Sequence, residues 1–145
     1  IIGMVFSILA FLRAAGAKKA AERARNEILI FDAADDLRNL SARASDLKSF
    51  VDDGDIEKAK LRCRDLIPAV STAKARFEDF LEQKQEQRLR VTLQQLHKVS
   101  VLLGQRKTDP NTEDGKELSL LCGGIAEALG DISGKLLSAI ERKTA

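Results

Sequence analysis

The chain has 145 residues, of which 44% are hydrophobic and 32% charged, a composition typical of one helical domain. Its 24 Lys and Arg residues against 22 Asp and Glu give a net charge of +2, and it contains no Trp or Tyr. A dedicated nucleic-acid binder would carry a basic stripe and, for single strands, stacking aromatics. We therefore expect no nucleic-acid partner.

The N-terminal residues are uncharged up to position 12, and basic residues follow at once. Apolar residues followed by Lys and Arg are typical of a helix that leaves a bilayer on its cytoplasmic side. We predict that residues 1–16 are the C-terminal part of a transmembrane helix and its junction, with the rest of the chain in the cytoplasm. The membrane-contacting residues are Ile1, Ile2, Val5, Phe6, Ile8, Leu9, Phe11 and Leu12. The residues predicted to contact lipid headgroups are Arg13, Lys18, Lys19, Arg23 and Arg25.

The length of the apolar run leaves two alternatives open. Twelve helical residues rise about 18 Å, whereas a hydrocarbon core is about 30 Å thick, so a span would need residues upstream of Ile1. An apolar run of this length is usually a buried core helix. The run could also be the remnant of a signal peptide, because Ala15-Gly16-Ala17 resembles a cleavage site, although basic residues precede the apolar part of such peptides.

Residues 17–107 are predicted to form a helical hairpin. Two stripes of apolar residues spaced three and four apart, from Ile30 to Val51 and from Ile56 to Phe80, indicate two helices that pack face to face. The link between them is Asp52-Asp53-Gly54-Asp55, in which glycine suits a left-handed turn and Asp53 or Asp55 can cap the second helix.

Two features modify this hairpin. Pro68 lies inside the second stripe, where it removes a helical hydrogen bond at a cost of about 3 kcal/mol, so a kink is expected there. Residues 82–88 are polar on every face. Their helix propensity favours a continuous helix, but a straight continuation would bring charges towards lipid. We expect a bend near residues 82–88.

Residues 113–145 are predicted to form a C-terminal helix packed on the bundle, following turn-forming residues at 109–112. Small residues recur along it at every fourth position. Glycine inside a helix costs up to about 1 kcal/mol relative to alanine, and a face of small residues lets two helices approach closely. We predict a helix–helix interface there, within the bundle or between subunits, formed by Ala126, Gly130, Gly134 and Ser138.

No combination of residues indicates an enzyme. His97 is the only histidine, and Cys63 and Cys122 are far apart, without the ligand spacing of a metal site. Two isolated thiols indicate a reducing compartment more than a disulfide scaffold. We expect no catalytic residue, no metal and no cofactor.

The sequence thus predicts an all-α protein, with a partial transmembrane helix leading into an antiparallel three- or four-helix bundle of coiled-coil-like hairpins. We expect a membrane-anchored interaction module that binds lipids and self-assembles through its cytosolic bundle into a homo-oligomer, in one version a gated pore. One alternative is a soluble adaptor that docks another protein. The other is a sensor that binds a small anionic ligand, and its candidate residues are Arg88, Arg90, Lys98 and Arg106.

Overall fold

The computed structural model describes residues 2–105 and 113–144, and describes only the backbone of residues 2–9, 11, 12, 80, 114 and 140–144. Within these ranges all regular structure is helical, which confirms the predicted all-α class. The helices are α1 (Ile2–Asp52), α2 (Ile56–Arg76), α3 (Gln83–Gly104) and α4 (Glu113–Thr144), with a short 3₁₀ turn (Glu78–Phe80) between α2 and α3.

The four helices form an antiparallel bundle in which each helix packs against two neighbours. Helix α1 lies between α2 and α4, and α3 lies against the same two helices on the other side. Contacts between neighbours run in opposite sequence directions: on α1 and α4, Ala34 lies beside Ser133 while Asp52 lies beside Ser119. This is the up-down-up-down arrangement expected of helices joined by short loops.

The core includes the two apolar stripes that the sequence predicts for the hairpin of α1 and α2. The stripes of α1 and α2 are buried from Ala33 to Val51 and from Ala59 to Phe77, and one stripe from each of α3 and α4 completes the core. Burial of this apolar surface is the main force that holds the helices together. The largest fully buried side chains are Leu37, Leu47, Leu66, Val70, Phe77, Leu89, Leu96, Leu103, Leu118, Ile125, Leu129 and Ile132.

The turn between α1 and α2 is built as its residues predict. Gly54 has a φ of 76°, which is a left-handed conformation that glycine adopts without strain. Asp55 is the N-cap of α2, and its carboxylate accepts a hydrogen bond from the backbone N–H of Lys58 at 3.3 Å. Both predictions for this turn are confirmed.

The chain changes direction between α2 and α3 slightly earlier than residues 82–88. Helix α2 continues through Pro68 and ends at Arg76, and the turn occupies residues 77–82. The backbone N–H of Glu82 donates a hydrogen bond to Oε1 of Gln85 at 3.0 Å, which caps the first turn of α3. Most of the polar run therefore belongs to the first turns of α3, where residues with good helix propensity are well accommodated.

Candidate functional site

Helix α1 extends well beyond α2. It has 51 residues, whereas α2 has 21 and ends at Arg76, which lies level with Asp36. Helix α1 also extends beyond α4, whose last residue Thr144 lies level with about residue 23 of α1, because Ser133 lies beside Ala34. Every described side chain from Arg13 to Asn26 is exposed, apart from half-buried Ala15. We call residues 2–26 the projecting segment, which is about 37 Å long at 1.5 Å per residue. Helices in proteins gain most of their stability from packing. Contact with a partner or a surface would therefore stabilise this segment.

The five basic residues predicted to contact headgroups all lie exposed on the projecting segment. At about 100° per residue, their positions are distributed around the whole circumference of the helix. We refer to them as the basic ring. None of them has an ion-pair partner within the described residues. The ring is therefore free to attract an anionic surface from any side.

The backbone of residues 2–12 forms the first turns of α1, while Ile1 lies outside the described residues. Across the described parts of the chain, no helix combines the length and the apolarity that crossing a membrane requires. The predicted transmembrane helix is therefore unsupported, and so is the pore that would depend on it. The physical reason is the short rise of the apolar run, about 18 Å.

Helices α1 and α4 are joined by a closely packed seam of small residues. Ser41 Oγ donates a hydrogen bond to the carbonyl of Ala126 at 2.7 Å, and Ser133 Oγ donates one to the carbonyl of Ala34 at 2.6 Å. A Cβ placed on Gly130 would lie only 3.2 Å from Ser41 Oγ. Such short contacts require the two backbones to approach closely, which small residues allow.

The predicted small-residue interface is therefore divided. Ala126 and Gly130 lie on the seam with α1, inside the bundle. Gly134 and Ser138 are exposed, and a Cβ on Gly134 would meet no atom within 4 Å. Ser138 Oγ donates its hydrogen bond to the carbonyl of Gly134, within α4 itself, at 3.0 Å. An α-helix has 3.6 residues per turn, so residues spaced four apart move gradually around it, and these four residues cannot all lie on one face.

The three candidate anion-binding residues that the structure describes are each paired with a carboxylate. Arg88 pairs with Asp131 and Lys98 pairs with Glu117, each at 2.9 Å, so α4 carboxylates neutralise both. The remaining two of the four candidates are Arg90, which pairs with Glu86 at 3.4 Å, and Arg106, which lies outside the described residues. Arg88 and Lys98 are about 15 Å apart along α3. Arg88, Arg90 and Lys98 therefore do not converge on a common point where a small anion could bind.

The residues with possible catalytic chemistry are inert or isolated. Cys63 and Cys122 are buried free thiols, and burial raises the pKa of Cys63 to about 11 and that of Cys122 to about 12. Both stay protonated at neutral pH and are poor nucleophiles. His97 is exposed on α3. No cluster of three or more His, Cys, Asp or Glu residues that could hold a metal ion occurs in the described ranges.

An open groove of about 380 Å³ lies between α1 and α2, beside Pro68. Its lining includes Asp36, Arg43, Thr72 and Arg76, so both signs of charge are present. Asp36 and Arg76 form an ion pair at 3.4 Å, with both side chains about half exposed. Exposed pairs of this kind contribute little free energy, and the groove offers no convergent set of groups for one class of ligand.

Asp52, at the end of α1, titrates below the usual Asp value of 3.8. Its pKa is lowered first by the hydrogen bond from Ser119 Oγ at 2.6 Å and then by that from Lys48 Nζ at 2.9 Å, since both favour the carboxylate. Because the folded pKa is below the unfolded one, the carboxylate stabilises the fold above pH 3.8. That contribution is lost as the pH falls through the lowered folded value.

We expect the substitution Ser119→Ala to raise the pKa of Asp52 by removing the larger of these two hydrogen bonds. Titration of the Asp52 carboxyl by NMR measures the shift. The matched control is Ser138→Ala, because Ser138 bonds only within α4 and should leave the titration of Asp52 unchanged. An equal Asp52 pKa in the two variants would show that Ser119 does not stabilise the carboxylate.

With this geometry established, comparison with known proteins finds no matching family model, curated protein or solved structure. Within the described residues, most of the projecting segment lies beyond the ends of α2 and α4 and packs against neither.

Proposed function

We propose that this chain is a helical interaction module whose projecting segment attaches a four-helix bundle to an anionic membrane surface. The observation that carries the proposal is the continuity of α1. A single helix passes from the apolar residues at its N-terminus, through the basic ring, into the core of the bundle. The bundle is thereby held at a fixed distance from whatever the end of the helix binds.

The distribution of polarity along α1 supports attachment by the helix end. Apolar residues occupy positions 1–12 and the basic ring follows, so polarity changes along the helix axis. An apolar end about 18 Å long matches the depth of one leaflet, roughly half of a 30 Å hydrocarbon core. With the apolar end inserted, the ring would lie at the level of the headgroups, where each Lys or Arg adds about 1 kcal/mol of attraction.

Several bundle residues that the sequence suggested for binding are already used in contacts within the bundle. Ala126 and Gly130 pack against Ser41 in the seam with α1, so neither is available to a partner. Lys98 and Arg88 are paired with carboxylates of α4, so neither charge is free for a small anionic ligand. What supports an interaction role is the combination of a compact helical body with a long unpartnered helix.

The proposal predicts that the full chain binds vesicles containing phosphatidylserine more tightly than vesicles of phosphatidylcholine alone, and less tightly as salt increases. Replacing Lys18, Lys19 and Arg23 together by glutamine should weaken binding on the order of a hundredfold. This follows from about 1 kcal/mol for each charge and 1.4 kcal/mol for each factor of ten. Flotation of the protein with vesicles measures the bound fraction.

The matched control removes three exposed charges from the bundle by the substitutions Arg64→Gln, Lys84→Gln and Lys116→Gln. None of these side chains makes an ion pair among the described residues, and the net charge of the chain changes by the same amount. The control should bind almost as the unchanged chain does. Equal weakening of the two triple variants would mean that overall charge governs binding, and the proposal would be wrong.

A further inference from the structure

Two large apolar side chains are exposed where α1 leaves the bundle. Ile28 is 61% exposed and Phe31 is 51% exposed, and they are three residues apart, on one side of the helix. Helix α2 meets α1 at Asp36, and α4 meets it at Ala34. At about 100° per residue, Ile28 and Phe31 fall on the third side, turned away from both neighbours.

This third side continues as a regular stripe along the projecting segment. Steps of alternately three and four residues connect Ile28 and Phe31 with alanines that are all exposed. A stripe of this spacing is typical of a helix that packs lengthwise against a second helix. We call the stripe the outer face of α1; its residues are Ala14, Ala17, Ala21, Ala24, Ile28 and Phe31.

Charge along the same stretch separates into two blocks of opposite sign. Residues 13–26 contain five basic residues and Glu22, a net charge of +4. Residues 27–36 contain Glu27, Asp32, Asp35 and Asp36 and no basic residue, a net charge of −4. The two blocks are equal and opposite, so a partner that presents them in reverse order along the helix would match both.

We infer that this partner is a second copy of the chain, and that the outer faces of two α1 helices pack antiparallel. In the register that we assign, Ala24 lies opposite Ile28 of the second copy and Ala21 lies opposite its Phe31. The twofold axis then passes near residue 26. Residues 27–36 of each copy lie level with residues 16–25 of the other, so each acidic block faces a basic block.

Side-chain size favours the same direction. In the antiparallel register each large residue of the outer face meets a small one, and the two helices can keep a constant separation. A parallel pair in register would place Phe31 against Phe31 and Ala17 against Ala17, crowding one end and leaving gaps at the other. It would also align blocks of like charge, which is unfavourable. The seam between α1 and α4 shows that this chain packs antiparallel helices closely through small residues.

Pairing and end-on attachment to a membrane use the same stretch of α1. In the antiparallel pair the two N-termini point in opposite directions, and each runs beside the bundle of the other copy. End-on insertion therefore belongs to the unpaired chain. The pairing is tested without lipid, so its failure and the failure of the membrane proposal are separate results.

The first test is the mass of the full chain in lipid-free buffer, by analytical ultracentrifugation over a wide range of concentration. The unchanged chain should sediment as a dimer and Ala24→Glu as a monomer. The matched control Asn26→Glu adds the same charge on the opposite side of α1 and should remain dimeric. Both positions are exposed, so neither change disturbs the fold of the monomer, which circular dichroism verifies. A monomeric unchanged chain, or loss of the dimer in both variants, would overturn the pairing.

The second test determines direction by disulfide cross-linking. A chain with Ala21→Cys should cross-link to a chain with Phe31→Cys, whereas neither should cross-link to itself, because identical positions lie about 15 Å apart along the axis. The buried native thiols should leave the unchanged chain without cross-links. Cross-linking of Ala21→Cys chains to one another, without the mixed product, would indicate a parallel pair and overturn the antiparallel register.

Charge reversal gives an independent readout of the blocks. Asp32 is exposed and has no ion-pair partner among the described residues. Asp32→Lys should weaken the dimer, and the combination Lys18→Asp with Asp32→Lys should restore most of the loss, because Lys18 lies nearly level with Asp32 of the second copy. A dimer strengthened by Asp32→Lys would contradict the antiparallel arrangement, since only a parallel pair brings Asp32 near Glu27 of its partner.

Discussion

Replacing Leu96 by alanine is expected to lower the free energy of unfolding by about 3 kcal/mol, within the range of 2–5 kcal/mol for buried leucines. Leu96 is fully buried at the middle of α3, and its backbone carbonyl accepts a hydrogen bond from the Cys63 thiol of α2. Truncation would leave a cavity in the core between α3 and its two neighbours, α2 and α4. The helices flanking it are each continuous, so the site can collapse only in part.

Urea denaturation followed by circular dichroism measures this change, since the loss of stability shifts the midpoint without changing the slope. The control is His97→Ala, which truncates the next residue on the exposed side of the same helix. Its effect should stay within about 0.5 kcal/mol. A similar loss in the two variants would mean that the loss at Leu96 does not come from its burial, and helix propensity could not explain it, because alanine is the best helix former.

Replacing Gly130 by leucine is expected to destabilise the bundle by about 1–3 kcal/mol, the usual cost of overpacking. Even a Cβ at this position would lie 3.2 Å from Ser41 Oγ, so the Ser41 side chain that bonds to Ala126 would have to move. Helices α1 and α4 would have to separate. The hydrogen bonds of Ser41 to Ala126 and of Ser133 to Ala34 depend on their close approach, so both would be weakened.

The same substitution one helical turn later, at Gly134, should stabilise the bundle instead of destabilising it. Gly134 is exposed, and a Cβ there meets nothing within 4 Å. Gly134→Leu should therefore gain up to about 1 kcal/mol from the better helix propensity of leucine. Thermal or urea unfolding of the two variants gives the comparison. Destabilisation by both would indicate that Gly134 also lies in an interface, for example between subunits.

The parts of the fold that depend on local chemistry were predictable from the sequence. The apolar stripes of α1 and α2 follow from a spacing of three and four residues, which places them on one helix face whatever they pack against. The turn at Gly54 depends on a conformation that glycine alone adopts freely. The start of α3 was harder to predict, because polar residues with good helix propensity suit the middle of a helix as well as its first turn.

The parts that depend on another helix were not predictable. Which face of α4 meets α1 is decided partly by Ser41, 85 residues away from its acceptor Ala126. The neutralisation of Arg88 by Asp131 follows from the register between α3 and α4, which no local pattern encodes. The apolar and basic parts of the projecting segment could be identified from the sequence. The exposure of Ile28 could not, because it depends on which sides of α1 face α2 and α4.

Because α1 is one continuous helix, the orientation of its N-terminal end about the helix axis determines which way the bundle faces. Each residue turns the helix by about 100°. Inserting one residue between Asn26 and Glu27 would turn the bundle by more than a quarter circle relative to everything before the insertion, whereas seven added residues would almost restore the original angle. The number of residues between the basic ring and the core is therefore a constraint in its own right. A change in that number alters which side of the bundle faces a neighbour without altering any contact in the core.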